Sequence, residues 1–153
     1  MNSSHISNIK YMIKNYMKKH NPYSPNFLPC LFEYYFAIHL SKILNKDFYI
    51  YNDLTITCPI YDFPKRDNGI DLIDTSLSVI GQCKYYSNNN YITYGNLSTF
   101  LASDKLIGKK FEFYLIRTDE SKIDNMVQKI IDRKDMVDIC LSKKEFLRYI
   151  RSY

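Results

Sequence analysis

The sequence predicts an α/β fold, a central mixed β-sheet flanked by helices, and three observations predict it. Apolar residues recur at helical spacing up to Leu44, and from Phe48 the period changes to two. Helical and extended segments then alternate to the end of the chain, the pattern of one layered sheet-and-helix unit. The 153 residues are the length of one ordinary domain, against a prior of ~150 residues each.

Each element follows in order. Asn8 to His20 reads as a short basic amphipathic helix, with Ile9, Met12, Ile13, Tyr16 and Met17 on one stripe and Lys10, Lys14, Lys18 and Lys19 off it. Pro22, Pro25 and Pro29 make the next stretch a loop, since proline cannot sit in a helix interior. A wide apolar helix is expected from about Pro29 to Leu44, with Glu33 near its start. Residues 1–28 are therefore read as an N-terminal basic helix and Pro-rich loop, and 29–153 as a single domain. Phe48 and Ile50, then Leu54, Ile56 and Cys58, alternate with polar residues as one or two strands that Pro59 stops. Pro64 to Gly69 is a turn. Ile70–Asp74 and Leu77–Lys84 form a hairpin joined at Thr75 and Ser76. A helix over Asn96–Leu106, a strand over Phe111–Ile116, a helix over Ser121–Arg133 capped by Ser121, a strand over Val137–Leu141 and a helix over Ser142–Ile150 complete the chain.

Composition excludes several classes. Hydrophobic residues are 46% and charged residues 24%, which rules out a disordered tail or a collagenous chain. The four cysteines, Cys30, Cys58, Cys83 and Cys140, are widely spaced, so neither a zinc site nor a disulfide scaffold is expected. Nothing resembles a secretory leader or a membrane span, and the thiols suit a reducing compartment: an intracellular protein is expected, in a cytosolic or nuclear-type compartment. The net charge of +5 fits a polyanion partner. The 15 Tyr count for less, because heavy use of Lys, Asn, Ile and Tyr together looks like AT-rich codon drift.

The chemistry concentrates between Asp67 and Lys84. Gln82 and Lys84 are two apart on a strand and share a face, with Cys83 pointing the other way. A tight turn at Thr75 and Ser76 would pair residues whose numbers sum to about 151, setting Asp71 opposite Ile80 with Gln82 diagonal to it. One carboxylate, one amide oxygen and one ammonium then meet at the open end of the hairpin. A hard cation such as Mg²⁺ takes oxygen ligands, and a neighbouring ammonium can neutralise charge that develops on phosphorus.

Asn68-Gly-Ile-Asp71, ten residues, then Gln82-Cys-Lys84 resembles the restriction-endonuclease-like PD-(D/E)XK superfamily, in its Mrr-type branch with a Q-x-K motif. It is also similar to nuclease-like domains associated with helicases of large DNA viruses and mobile elements, through Leu97-Ser-Thr-Phe100. The resemblance covers about Leu31 to Ile116. It implies a Mg²⁺- or Mn²⁺-dependent DNA endonuclease, with Asp71 and Gln82 on the metal, Lys84 as catalytic lysine and Glu33 as a further site carboxylate. Gln82 departs from the commoner acidic residue, which would hold metal more weakly.

Lys65, Arg66, Lys18 and Lys19, with Lys10 and Lys14, are the expected nucleic-acid surface. DNA is the expected partner, with RNA and a homodimer left open, and no membrane. Plain readings stand beside these: Asp71 as a turn former, Gln82 and Lys84 as an edge-strand face, Asp74 as a turn residue, and Tyr85, Tyr86, Tyr91 and Tyr94 as ordinary packing. A catalytically silent nucleic-acid-binding module and a protein-interaction domain are the competing functions.

Overall fold

In the computed structural model, residues 3–51, 69–86 and 90–153 are described. The strand expected over Leu54–Cys58, the turn at Pro64, and Lys65 and Arg66 lie outside them.

Helix α1 (Ser3–Lys19) packs against α2 (Phe27–Leu44), and β1 (Phe48–Ile50) follows. A hairpin of β2 (Leu72–Asp74) and β3 (Val79–Lys84) comes next, then β4 (Tyr91–Ile92), α3 (Tyr94–Leu101) and α4 (Ser103–Ile107). The last third holds β5 (Glu112–Thr118), β6 (Lys122–Ile123), α5 (Asn125–Asp132), β7 (Val137–Leu141) and α6 (Lys143–Arg151). The main sheet has the order β1-β2-β3-β5-β7, antiparallel as far as β3 and parallel from there on, while β4 and β6 form a small parallel pair. This is the mixed sheet flanked by helices that the patterning predicts, with the hairpin's second strand at its centre.

Two cores cover the two faces. On one face, α1, α2 and α6 bring Ile13, Phe32, Phe36 and Phe146 onto Leu72, Val79 and Ile116. On the other, α3 and α5 bring Leu97, Phe100 and Val127 onto Ile73, Ile80 and Leu115. Helix α1 is part of this packing: Ile6, Ile9 and Ile13 are buried in the same core as α2. Among the described residues, no helix is long and apolar enough to cross a membrane.

Several boundaries differ from expectation, each for a local reason. The second helix starts at Phe27, because Pro29 falls in its first turn, where a missing N–H costs nothing. The expected helix from Asn96 is two helices, broken at Ala102; the first begins at Tyr94 under a capping box between Thr93 and Asn96. Ser121 does not cap α5. Its hydroxyl donates to the Thr118 carbonyl at 2.6 Å, Lys122 and Ile123 go into β6, and Asp124 is the cap instead. Ser142 does cap α6, accepting from the Glu145 N–H.

The hairpin turn is the most consequential difference. Four residues, 75–78, form the loop, and Leu77 takes a φ of 57° within it. The partners Leu72↔Gly81 and Ile73↔Ile80 sum to 153, not 151. The loop is longer because Asp74 organises it: its carboxylate accepts from the Ser78 and Val79 N–H groups, both at 2.8 Å, and from the Ser76 and Ser78 hydroxyls.

Candidate active site

The shifted register alters the site directly. Continuing the ladder by one residue sets Asp71 beside Gln82, where the shorter turn would have placed it opposite Ile80. Asp71 is pinned on both sides: its N–H donates to the Gly81 carbonyl at 2.9 Å, and its carbonyl accepts from the Tyr51 N–H at 2.8 Å. Its carboxylate then reaches along the open edge of β3 and accepts from the Cys83 N–H at 2.7 Å. Strand β2 begins only at Leu72, so this side chain takes a ladder position that a backbone carbonyl would otherwise fill.

Gly69 makes that approach feasible. Its φ is +78°, and a Cβ there would lie 2.9 Å from the Phe100 nitrogen in α3. The glycine two residues before Asp71 therefore lets the chain run against the helix.

Along β3, Gln82 lies on the α3 side with Ile80, and Cys83 on the α2 side with Val79. Gln82 is 7% exposed, and its Oε1 is buried without a hydrogen-bond donor. That is an unusual state for an amide oxygen in a folded protein. Lys84 follows on the same face, half-buried, with its Nζ 5.9 Å from the centre of the Tyr86 ring. The Tyr86 carbonyl is tied to the neighbouring strand by the Thr118 hydroxyl at 3.0 Å. Beside Lys84 on β5 stands Arg117, whose guanidinium grips Asp138 with two contacts of 2.9 Å. Arg117 is thus committed to β7, and its pKa is raised first by that hydrogen bond.

Glu33 comes from the opposite layer. It is half-buried on α2, and its charge is felt by both the Cys83 thiol and the Tyr16 phenol. Burial pushes the Cys83 thiol well above its usual range; Asp71 and Glu33 push it further, and Lys84 opposes them. The charges of three side chains of the expected site therefore all act on this one thiol. Tyr16 is pushed up to about 12, by burial first and then by Cys30 and Glu33.

The structure brings Asp71, Gln82 and Lys84 to one end of the hairpin and sets Glu33 on the far side of β3 from Gln82. Lys18 and Lys19 are exposed at the end of α1, one turn beyond Tyr16. Among the described residues, no group of three His, Cys, Asp or Glu side chains is placed to hold a metal ion. Asp74 belongs to the turn, as its position suggests. Of the tyrosines expected to pack, Tyr85 does so against Phe32 and Phe146, whereas Tyr91 and Tyr94 are 56% and 45% exposed. Tyr86, expected only to pack, instead has its ring 5.9 Å from the Lys84 Nζ.

A family model described as restriction endonuclease, of the Mrr type, matches residues 44–145, two thirds of the chain. The chain belongs to this restriction endonuclease family. No curated protein and no solved structure matches it. The matched segment holds the whole hairpin and continues through β7 into α6, past the Ile116 limit expected from the motifs alone. The last third of the restriction endonuclease domain supplies strands and helices to the sheet but little polar motif, so residue reading did not extend to it. Glu33 and all of α1 lie outside the matched segment.

Proposed function

We propose that this chain is a divalent-cation-dependent endonuclease that hydrolyses phosphodiester bonds in DNA. One observation carries the reading: the buried Gln82 Oε1, lacking any donor, sits beside the Asp71 carboxylate and two residues before Lys84. An oxygen left in that state costs about 1–3 kcal/mol unless something electropositive meets it. A hard cation is such a group, since Mg²⁺ takes one or two protein oxygens and leaves its other positions to water and phosphate. The donor set is the sparse one such an ion accepts: one carboxylate and one amide oxygen, with Glu33 on the other face of β3. When bound, the cation would lower the pKa of a water and offset charge on the phosphate.

The chain's own residues have separate tasks. Asp71 is oriented by the Cys83 N–H, so its remaining oxygen has a defined direction. Gln82 adds a ligand without adding charge. Lys84, resting on the Tyr86 ring, presents an ammonium to the scissile phosphate, where negative charge grows only in the transition state.

The test is nicking of supercoiled plasmid in Mg²⁺ and in Mn²⁺. Wild type should nick, EDTA should stop it, and Asp71→Asn and Lys84→Ala should each reduce the rate by ~100-fold or more. A second reading is favoured by the sparse charge of the site: a silent nucleic-acid-binding module of the same fold. It stands if wild type is inert while Gln82→Glu gains cleavage. If neither cleaves DNA or RNA in either metal, and neither binds Mn²⁺, the catalytic reading fails.

A further inference from the structure

The first thirty-two residues hold Lys10, Lys14, Lys18 and Lys19 and no carboxylate side chain; the first is Glu33. Helix α1 therefore has lysines and no carboxylate of its own, and at its end Lys18, Lys19 and His20 are all exposed. The loop that follows is tightly built. His20 stacks on Tyr16 at 3.9 Å, Tyr23 N–H donates to Asn21 Oδ1 at 3.0 Å, and Phe27 N–H donates to the Ser24 carbonyl at 3.1 Å. At its tip Tyr23 is 92% exposed, the most exposed large apolar side chain among the described residues.

We propose that the end of α1 and its loop form a second nucleic-acid contact, specific for an unpaired strand. Tyr23 stacks on a base, while Lys18 and Lys19 neutralise the flanking phosphates. An exposed ring a few residues after a pair of exposed lysines suits single strands, because every unpaired base offers a π-face and a duplex covers those faces by its own stacking. The occupant is therefore single-stranded DNA. This contact lies outside the matched family segment, and it rests on the nuclease reading only for why nucleic acid is bound at all.

Binding is read by fluorescence anisotropy in EDTA, with a labelled oligo-dT and a blunt duplex of equal length. Tyr23→Ala should weaken single-strand binding by about 5- to 100-fold and change duplex binding by less than about twofold, with Tyr23→Phe restoring wild-type affinity. Lys18→Gln with Lys19→Gln should lower the slope of log affinity against log salt by roughly 1.4. Unchanged single-strand affinity in Tyr23→Ala overturns the proposal, as does equal weakening of both substrates. Asp71→Asn separates the two readings, since it should bind the single strand like wild type while failing to cleave. Tyr23 dependence in a protein that never cleaves would sink the nuclease reading and leave this contact standing. Cleavage without Tyr23 dependence would do the reverse.

Discussion

Asp71 and Asp74 stand three residues apart at opposite ends of one hairpin, and their surroundings differ in kind. Asp74 is fully buried and accepts from two backbone N–H groups and two serine hydroxyls, with Lys46 Nζ at 3.8 Å. At the other end, Asp71 is half-buried next to an amide oxygen that nothing satisfies. A carboxylate surrounded by donors stabilises a turn; a carboxylate beside a buried amide oxygen that has no donor is poised for a ligand. Closely spaced aspartates in sequence can thus have unrelated purposes, and the groups beside each separate them.

The largest effect should come from the closed end. Asp74→Ala leaves the buried Val79 N–H and the part-buried Ser78 N–H without their acceptor and should cost about 2–4 kcal/mol in urea unfolding. Asp71→Asn should cost under about 1 kcal/mol, because an amide oxygen can still accept from the Cys83 N–H. If Asp71→Asn proves the more destabilising of the two, the contrast between the ends is wrong.

Gln82→Met sharpens the other end. It removes the orphaned oxygen in nearly the same volume and should raise stability by about 1 kcal/mol while lowering Mn²⁺ affinity at least about tenfold, read by melting and by titration calorimetry. A loss of stability would mean that Gln82 already has a partner in solution.

Acid separates the aspartates more finely. Burial alone would raise the Asp74 pKa, yet the hydrogen bonds from Ser76, Val79 and Ser78 outweigh it and hold the carboxyl below its usual value. A depressed folded-state pKa gives stability that is present above the ordinary value of ~4 and lost as pH falls through the lower one. Below about pH 4, wild type should therefore lose stability more steeply than Asp74→Asn, in urea titrations at stepped pH.

The smallest effect belongs to Tyr86→Leu. Losing the ring beneath Lys84 removes about 0.5–1 kcal/mol of cation–π attraction, and cleavage should fall by roughly two- to fivefold with little change in melting. A fall as large as that of Lys84→Ala would give Tyr86 a more direct role.

Much of this was legible in the sequence, for reasons particular residues make plain. Period-two alternation over 79–84 put Gln82 and Lys84 on one face, and the wide apolar face of α2 required a sheet beneath it. The hairpin register was not legible, because Thr75-Ser76 looks like a two-residue turn until the Asp74 side chain is seen drawing Ser78 and Val79 into a longer one. Nor was the side from which Glu33 approaches, since helical spacing fixes a stripe but not the strand that meets it. The small β4–β6 pair was missed because two-residue strands carry no periodicity.

The position of β3 between unlike neighbours also bears on how the chain folds. Its antiparallel partner is reached through a loop of four residues, whereas its parallel partner β5 lies beyond β4, α3 and α4. Closing a short loop costs little entropy and is fast; the parallel pairing must wait for a long segment to be organised. Asp71, Gln82 and Lys84 all belong to the short-range half. The hairpin that carries them can therefore close before the sheet is complete, while Gly69 and the Tyr86 carbonyl gain their partners only when α3 and β5 arrive.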